Sequence, residues 1–449
     1  MSFTEGPLLG PILRFTIPLM LSNILQLLYN AADTVIVGRF GSTESLAAVG
    51  STTSMISLAV NLFAGLSIGV SVMVAQQIGA KKENDVSQTV HTAILVSIYV
   101  GVLLMAIGIF GARTLLLWME TPPEVIDLAV VYVQVYFIGM PASMLYNFGS
   151  AVMRAAGDSK RPLYYLSLSG LVNVALNLVF VIVFRLDVVG VGLASTISQI
   201  LSAVLVMRSL VRTRECYRLE ARKLHIHKDK LTEMIRLGLP AGIQNSLSSI
   251  GNLMIQSSVN LFGAAAMAGK TVAQSIESFV FTTIVAFSNG AITFTGQNVG
   301  AKKYDRIKKI TNICCILITV IGIGMAAVIY YFRMPLFRIY TDDPLVMDYA
   351  TIRMKVIITT YFLGGLMHLF CSQLRAMGVS VMPMVVASIG QCVLPIVWVY
   401  TAFAWTRSLE VLYASYPVAW ILTGVVHVVC YFITKRKLLR SLQDPLENE

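Results

Sequence analysis

Apolar residues along this chain come in long unbroken blocks separated by short polar turns. Thr92 to Phe110 and Leu163 to Phe184 are two such blocks, each about the ~20 residues an α-helix needs to cross ~30 Å of hydrocarbon. The short alternating segments that barrel strands would show are missing from the pattern. Helical spans are predicted near 12–37, 47–75, 89–110, 126–150, 163–184, 189–209, 234–258, 267–292, 309–331, 346–370, 384–404 and 412–433, which makes an all-α integral membrane protein of twelve transmembrane helices. Ser2 to Pro11 contains Glu5 and two prolines and leads into a span too long for a signal core, so no cleavable signal is expected, nor a lipid anchor.

Composition excludes the soluble alternative: 56% of the 449 residues are hydrophobic and 13% charged, against about a quarter charged in ordinary soluble domains. The net charge of +11 is distributed unevenly. Lys81–Lys82, Arg154–Arg161, Arg208–Arg236, Lys302–Lys309 and Lys435–Arg440 hold most of the 34 lysines and arginines, all in loops on one side of the predicted topology. By the positive-inside bias both termini face the cytoplasm of a multi-pass plasma-membrane protein. Basic residues spread over short loops make no nucleic-acid surface. The six cysteines have no ligand spacing, and no metal site is expected beyond possible Na⁺.

Self-comparison divides the chain. Pro18, Asn23 and Phe40-Gly41 recur as Pro240, Asn245 and Phe262-Gly263, 222 residues later. Gln76 and Gly79-Ala80-Lys81-Lys82 recur as Gln297 and Gly300-Ala301-Lys302-Lys303 at an offset of 221, as do Asp127 with Asp348 and the Arg-Ala-x-Gly-x-Ser-x-x-Pro stretches 154–162 and 375–383. One register kept through loops is a true repeat. Two six-helix lobes are therefore expected, residues 1–210 and 233–449, related by a pseudo-twofold axis along the membrane normal. Residues 211–232 are read as a solvated cytoplasmic linker.

Polar residues inside the spans carry the candidate chemistry, because each is costly in lipid unless it meets a partner or water. Asn23, Gln26, Asn30 and Asp33 share one face of the first helix; their repeat partners are Asn245, Ser248, Asn252 and Ile255. Asn173 and Asn177 lie one turn apart in the fifth helix, against Leu394 and Trp398, and Ser195 and Thr196 in the sixth stand against Tyr416 and Pro417. The first half thus gathers one carboxylate, carboxamides and hydroxyls, an oxygen-rich set suited to a proton or hard cation. Interhelical hydrogen bonding by the asparagines is the plainer alternative.

These motifs resemble the multidrug and toxic compound extrusion (MATE) family over essentially the whole chain. The telling stretches are Asn30-Ala31-Ala32-Asp33, Val74-Ala75-Gln76-Gln77-Ile78-Gly79-Ala80, Arg154-Ala155-Ala156-Gly157-Asp158 and Gln297-Asn298-Val299-Gly300-Ala301. The chain looks closest to the DNA-damage-inducible branch. That resemblance implies a coupling-cation site in the first lobe, with Asp33 as its carboxylate, Asn173 beside it, Ser195 as a hydroxyl ligand and Pro18 as a helix hinge. Asn177 stands where some members carry a second Asp, so at most one cation per cycle is implied. The norfloxacin-exporter branch carries acids in the seventh and tenth helices; Ser248, Ser249 and apolar or glycine residues stand near those positions here, so second-lobe coupling is not expected.

The resulting expectation is an H⁺- or Na⁺-coupled antiporter, leaning to H⁺, that exports organic cationic amphiphiles by alternating access. The coupling set is Asp33, Asn30, Asn173, Asn177, Ser195 and Thr196. Gln26, Asn245, Asn252, Gln274 and Glu277 are expected in the substrate cavity, with Glu277, whose repeat partner is Ile56, attracting positive charge. No cofactor is expected, and the partners are a small-molecule substrate and the bilayer, with the chain a monomer. The nearest rival is a lipid-linked precursor flippase of the same superfamily. An enzyme is disfavoured, since His91, His368 and His427 lie in separate spans without a nearby ligand pattern.

Overall fold

The computed structural model describes residues 3–40, 42–119 and 121–443. The chain is all-helical. In chain order the long helices are α1 (Leu9–Phe40), α2 (Thr43–Gly79) and α3 (Glu83–Trp118). Next comes α4, whose segments Pro123–Ile138 and Met140–Ala155 meet at a 45° bend. α5 (Lys160–Val183), α6 (Asp187–Arg212), α7 (Lys228–Asn260), α8 (Ala264–Gly300) and α9 (Tyr304–Tyr331) follow, then α10 (Pro344–Ala376), α11 (Val381–Thr406) and α12 (Leu409–Gln443). Pro141 sits in the first turn of the second α4 segment, where its missing N–H costs nothing, so the chain turns there without breaking the helix downstream.

Ten of these helices are long and apolar enough to cross a membrane, and the bent α4 makes eleven. The helix outside that count is α7, which coincides with the seventh predicted span. It has 33 residues, about 50 Å at 1.5 Å per residue, so length is not what sets it apart. Charged residues fill its first turns, and Gln244, Asn245, Asn252, Gln256 and Asn260 interrupt the rest.

Two compact units form, one from Leu21–Gly242 and the other from Ser2–Met20 together with Ile243–Glu449. The chain changes unit inside α1 and inside α7, each time two residues after a repeat-related proline, Pro18 or Pro240. A proline cannot donate to the carbonyl four residues back, so both helices are locally released at these points. In the first unit the opening half of α7 lies directly on α2. A Cβ on Gly65 would come within 2.2 Å of the Gly242 nitrogen, and one on Gly69 within 2.8 Å of the Gly238 nitrogen. In the second unit the opening half of α1 lies on α8 in the corresponding way, with Thr16 against Gly290. Small residues let helix backbones meet where lipid provides no hydrophobic drive.

The core of the second unit is anchored by the start of the chain. Phe3 is buried and its ring lies 4.1 Å from that of Phe294. Its backbone N–H donates to Gln297 Oε1 and its carbonyl accepts from Asn298 Nδ2.

Residues 211–232 are mostly exposed, as a solvated connector would be, but the segment is also pinned to the first unit at a few points. Tyr217 and Leu219 are buried, and the Leu219 N–H donates to the carbonyl of Leu210. Buried His91 on α3 sets its Nε2 against the backbone of Glu220, and the Thr92 hydroxyl accepts from the N–H of His227. Lys230 pairs with Asp85 at 2.9 Å. Basic composition suggested solvation, but two apolar side chains and a histidine decide the packing.

Candidate functional site

The polar face of α1 opens onto a cavity of about 450 Å³ within the first unit. Gln26, Asn30 and Asp33 line it from α1, Tyr132 and Tyr136 from α4, Asn173 from α5, and Ser195 and Gln199 from α6. Because the α1 polar residues recur at three- and four-residue intervals, they bring their side chains to one wall. Asn23, on the same face, is half-buried.

At the deep end Asn177, fully buried, donates from Nδ2 to Asp33 Oδ1 at 2.5 Å. The same nitrogen lies 3.3 Å from Asn173 Oδ1, one helical turn away. Asn177 Oδ1 is buried without a hydrogen-bond partner. Ser195 is the other side chain whose hydroxyl bears on the Asp33 carboxylate. A single carboxylate is therefore surrounded by neutral carboxamides and a hydroxyl from α5 and α6, a set that can take a proton or, with the Asn177 amide turned, coordinate one small hard cation.

Of the six residues predicted for coupling, Asp33, Asn173, Asn177 and Ser195 come together. Asn30 lines the same cavity but is exposed. Thr196 does not join them: its hydroxyl donates to the Val135 carbonyl at 2.9 Å and so secures α6 to α4. In a helix Ser195 and Thr196 point about 100° apart, so only one of the pair can face Asp33. Pro18 is buried inside α1, on the second-unit side of its change of unit.

Tyr132, Tyr136 and Gln199 were not singled out from sequence. Both phenols lie within electrostatic reach of Asp33, and Gln199 hydrogen-bonds Tyr136. The repeat held a usable signal, since their partners at an offset of 221 are Arg353, Ile357 and Trp420.

The residues predicted for a substrate cavity separate. Gln26 lines the first-unit cavity, whereas Asn245, Asn252 and Gln274 are exposed residues of the second unit. Asn252 Oδ1 accepts from the Tyr416 hydroxyl at 3.1 Å. Glu277 requires a correction. It is fully buried and its Oε2 accepts from Arg353 Nη2 at 2.9 Å and Nε at 3.2 Å. A carboxylate held in this way is not a free attractor of cations. Lys270, two turns before Glu277 on the same helix, donates from Nζ to Gln256 Oε1.

Comparison with known proteins agrees with this architecture. The MatE family model matches residues 18–179 and again 240–401, the two halves of the repeat. The probable multidrug resistance protein YoeA of Bacillus subtilis is 28% identical over 438 residues, covering 95% of this chain and 94% of its own. The probable multidrug resistance protein NorM of Thermotoga maritima is 24% identical over 400 residues, covering 87% and 85%. A solved MOP superfamily transporter from Pyrococcus furiosus superposes with a TM-score of 0.91 at 21% identity, over 97% of this chain and 98% of that one. With both halves matched and the fold shared, the chain belongs to the MATE family of multidrug efflux transporters, multi-pass membrane proteins and not enzymes.

Proposed function

We propose that this transporter exports organic amphiphiles in exchange for one cation per cycle, and that Asp33 is the group that carries the cation. The observation behind this reading is the 2.5 Å contact between Asp33 and Asn177 in the wall of a polar cavity. An amide N–H bonds a carboxylate more strongly than a neutral acid. Cation binding at Asp33 therefore weakens the tie between α1 and α5 and favours a different packing of α1. Pro18, with no N–H to donate, gives α1 a place to bend. Such a bend supports alternating access between two lobes with both termini in the cytoplasm of the plasma membrane, the chain acting as a monomer.

H⁺ is the coupling ion we favour, with Na⁺ as a competitor. A proton needs one oxygen and Asp33 supplies it, whereas Na⁺ needs several and must recruit Asn173, Asn177 and Ser195. A cationic cargo loses its support with Glu277 committed to Arg353.

The test is dye flux in proteoliposomes with pH and Na⁺ gradients imposed separately. The wild type should respond to the pH gradient. Asp33→Asn should insert and remain monodisperse yet lose gradient-driven accumulation. Accumulation by Asp33→Asn equal to wild type would remove Asp33 from coupling, and full-rate flux on a Na⁺ gradient alone would reverse the choice of ion.

A further inference from the structure

The second unit buries more positive than negative charge. Lys270, Glu277 and Arg353 are 6%, 0% and 3% exposed, so two cations surround one carboxylate. Arg353 holds Glu277 through Nε and Nη2, both on Oε2, and its Nη1 has no hydrogen-bond partner. Lys270 lies within electrostatic reach of both, but the oxygen it bonds is the neutral Gln256 carboxamide. Among the described residues no carboxylate pairs with it. An ammonium out of water without a counter-charge is expensive, and such groups in membrane proteins mark ligand or ion sites.

A chain of hydrogen bonds links Lys270 to an exposed residue. Gln256 Nε2 donates to Asn260 Oδ1 at 2.8 Å, and Asn260 is exposed, as are Asn252 and Gln274. Aromatic rings form a wall: the Arg353 guanidinium lies 5.2 Å from the ring centre of Tyr413 and 5.7 Å from that of Tyr416, and Trp420 packs on Tyr416 at 6.0 Å. The repeat makes the polarity specific to this half. Lys270, Glu277 and Arg353 correspond to Val49, Ile56 and Tyr132, while Asp33 corresponds to Ile255.

The geometry points to an anion site in the second unit, where Lys270 and the free Nη1 edge of Arg353 take the carboxylate of an aromatic organic acid whose ring packs on Tyr416. Glu277 is the positioning residue: it occupies the Nε–Nη2 edge of Arg353 and leaves Nη1, buried beside Tyr413 and Tyr416, without a hydrogen-bond partner. A carboxylate is favoured because a planar two-oxygen acceptor can span an ammonium and a guanidinium edge. That the anion is cargo rests on the exporter reading; that it binds does not.

The experiment is equilibrium binding of coumarin-3-carboxylate and of its neutral carboxamide to the full chain in phosphatidylcholine nanodiscs. The carboxylate should bind at least tenfold more tightly. Lys270→Gln should remove that preference and Lys270→Arg should keep it. Equal binding of carboxylate and carboxamide by the wild type overturns the proposal, whether or not Lys270→Gln folds. Carboxylate preference surviving in a monodisperse Lys270→Gln also overturns it. Loss of carboxylate binding when phosphatidylglycerol is added assigns the site to a lipid phosphate and overturns the carboxylate assignment. Because binding is read without a gradient, failure of coupled flux in the preceding assay leaves this result unaffected.

Discussion

Asn177 donates its side-chain N–H to Asp33 at 2.5 Å, joining α5 to α1 across 144 residues of sequence. Asn177 is fully buried and belongs to α5, whose next turn up carries Asn173. The contact ties the protonation or occupancy of one carboxylate to the packing of two helices. The repeat-related positions form no such tie: Ile255 is apolar, and the Trp398 indole N–H donates to the Val411 carbonyl.

If the two residues act as one unit, their substitutions will not add. Asn177→Ala should lower gradient-driven flux about tenfold, roughly the loss of one charge-assisted hydrogen bond. Asp33→Asn should abolish it, and adding Asn177→Ala to Asp33→Asn should change nothing further. Initial rates of dye accumulation for the four proteins measure the cycle. A further tenfold fall in the double variant would show that Asn177 acts through something other than Asp33.

The segment linking α6 to α7 offers a test outside the membrane. Burial works against the Lys230 ammonium, but Asp85 at 2.9 Å and neighbouring Asp229 outweigh it and hold its pKa above the usual lysine value. A lysine raised in this way stabilises the fold fully below its unfolded pKa, about 10.4. That contribution is lost as pH rises through the higher folded value. The melting-temperature gap between wild type and Lys230→Met should therefore stay constant from about pH 7 to 9 and narrow as pH rises above the unfolded lysine value. His91→Ala, which removes the clasp on Glu220, should speed trypsin cleavage between Arg214 and Lys223. An unchanged digestion pattern would mean that Tyr217 and Leu219 hold the segment unaided.

Much of the fold was legible because it rests on local rules. Long apolar blocks and a repeat offset that shifts by only one residue gave the helices and the two halves, and the asymmetry at Asp33, Asn173 and Asn177 fell on residues at the first-unit cavity. What was missed depends on contacts distant in sequence. Glu277 pairs with Arg353, which lies 76 residues away in the sequence. Tyr132 and Tyr136 were not singled out, although comparing Tyr132 with Arg353 across the repeat would have flagged the position. Ser195 and Thr196 were taken together, yet neighbours in a helix cannot share a face. In the linker the basic composition gave no sign of the two apolar side chains, Tyr217 and Leu219, that anchor it.

The crossing of α2 with α7 predicts a sharp steric limit. A Cβ on Gly242 would stand 1.9 Å from the Leu62 carbonyl oxygen, a backbone atom with no rotamer to yield, whereas nothing lies within 4 Å of one on Gly50. Gly242→Ala should lower the melting temperature by several degrees, in line with the ~1–3 kcal/mol of overpacking, and Gly50→Ala should leave it unchanged. Fluorescence-detected size exclusion after heating reports both. Equal melting temperatures would show that the helices separate at no cost.

Glu277, Arg353 and Lys270 make the final prediction, and its value lies in an inequality. Breaking a buried pair by removing one partner costs about 3–5 kcal/mol, because the other charge is stranded. The two removals are not equivalent here. Arg353→Met leaves Glu277 with Lys270 still in electrostatic reach, so one cation remains for one carboxylate. Glu277→Met leaves Arg353 and Lys270, two like charges in a site only 3–6% exposed, with no carboxylate to separate them. Glu277→Met should therefore be the more damaging single change. Adding Arg353→Met to it should recover stability, since one of the two stranded cations is then gone. Thermal stability of the three variants decides it: equal losses, or a double variant worse than Glu277→Met, would mean that Lys270 carries no charge in the folded protein and that the excess positive charge is not there.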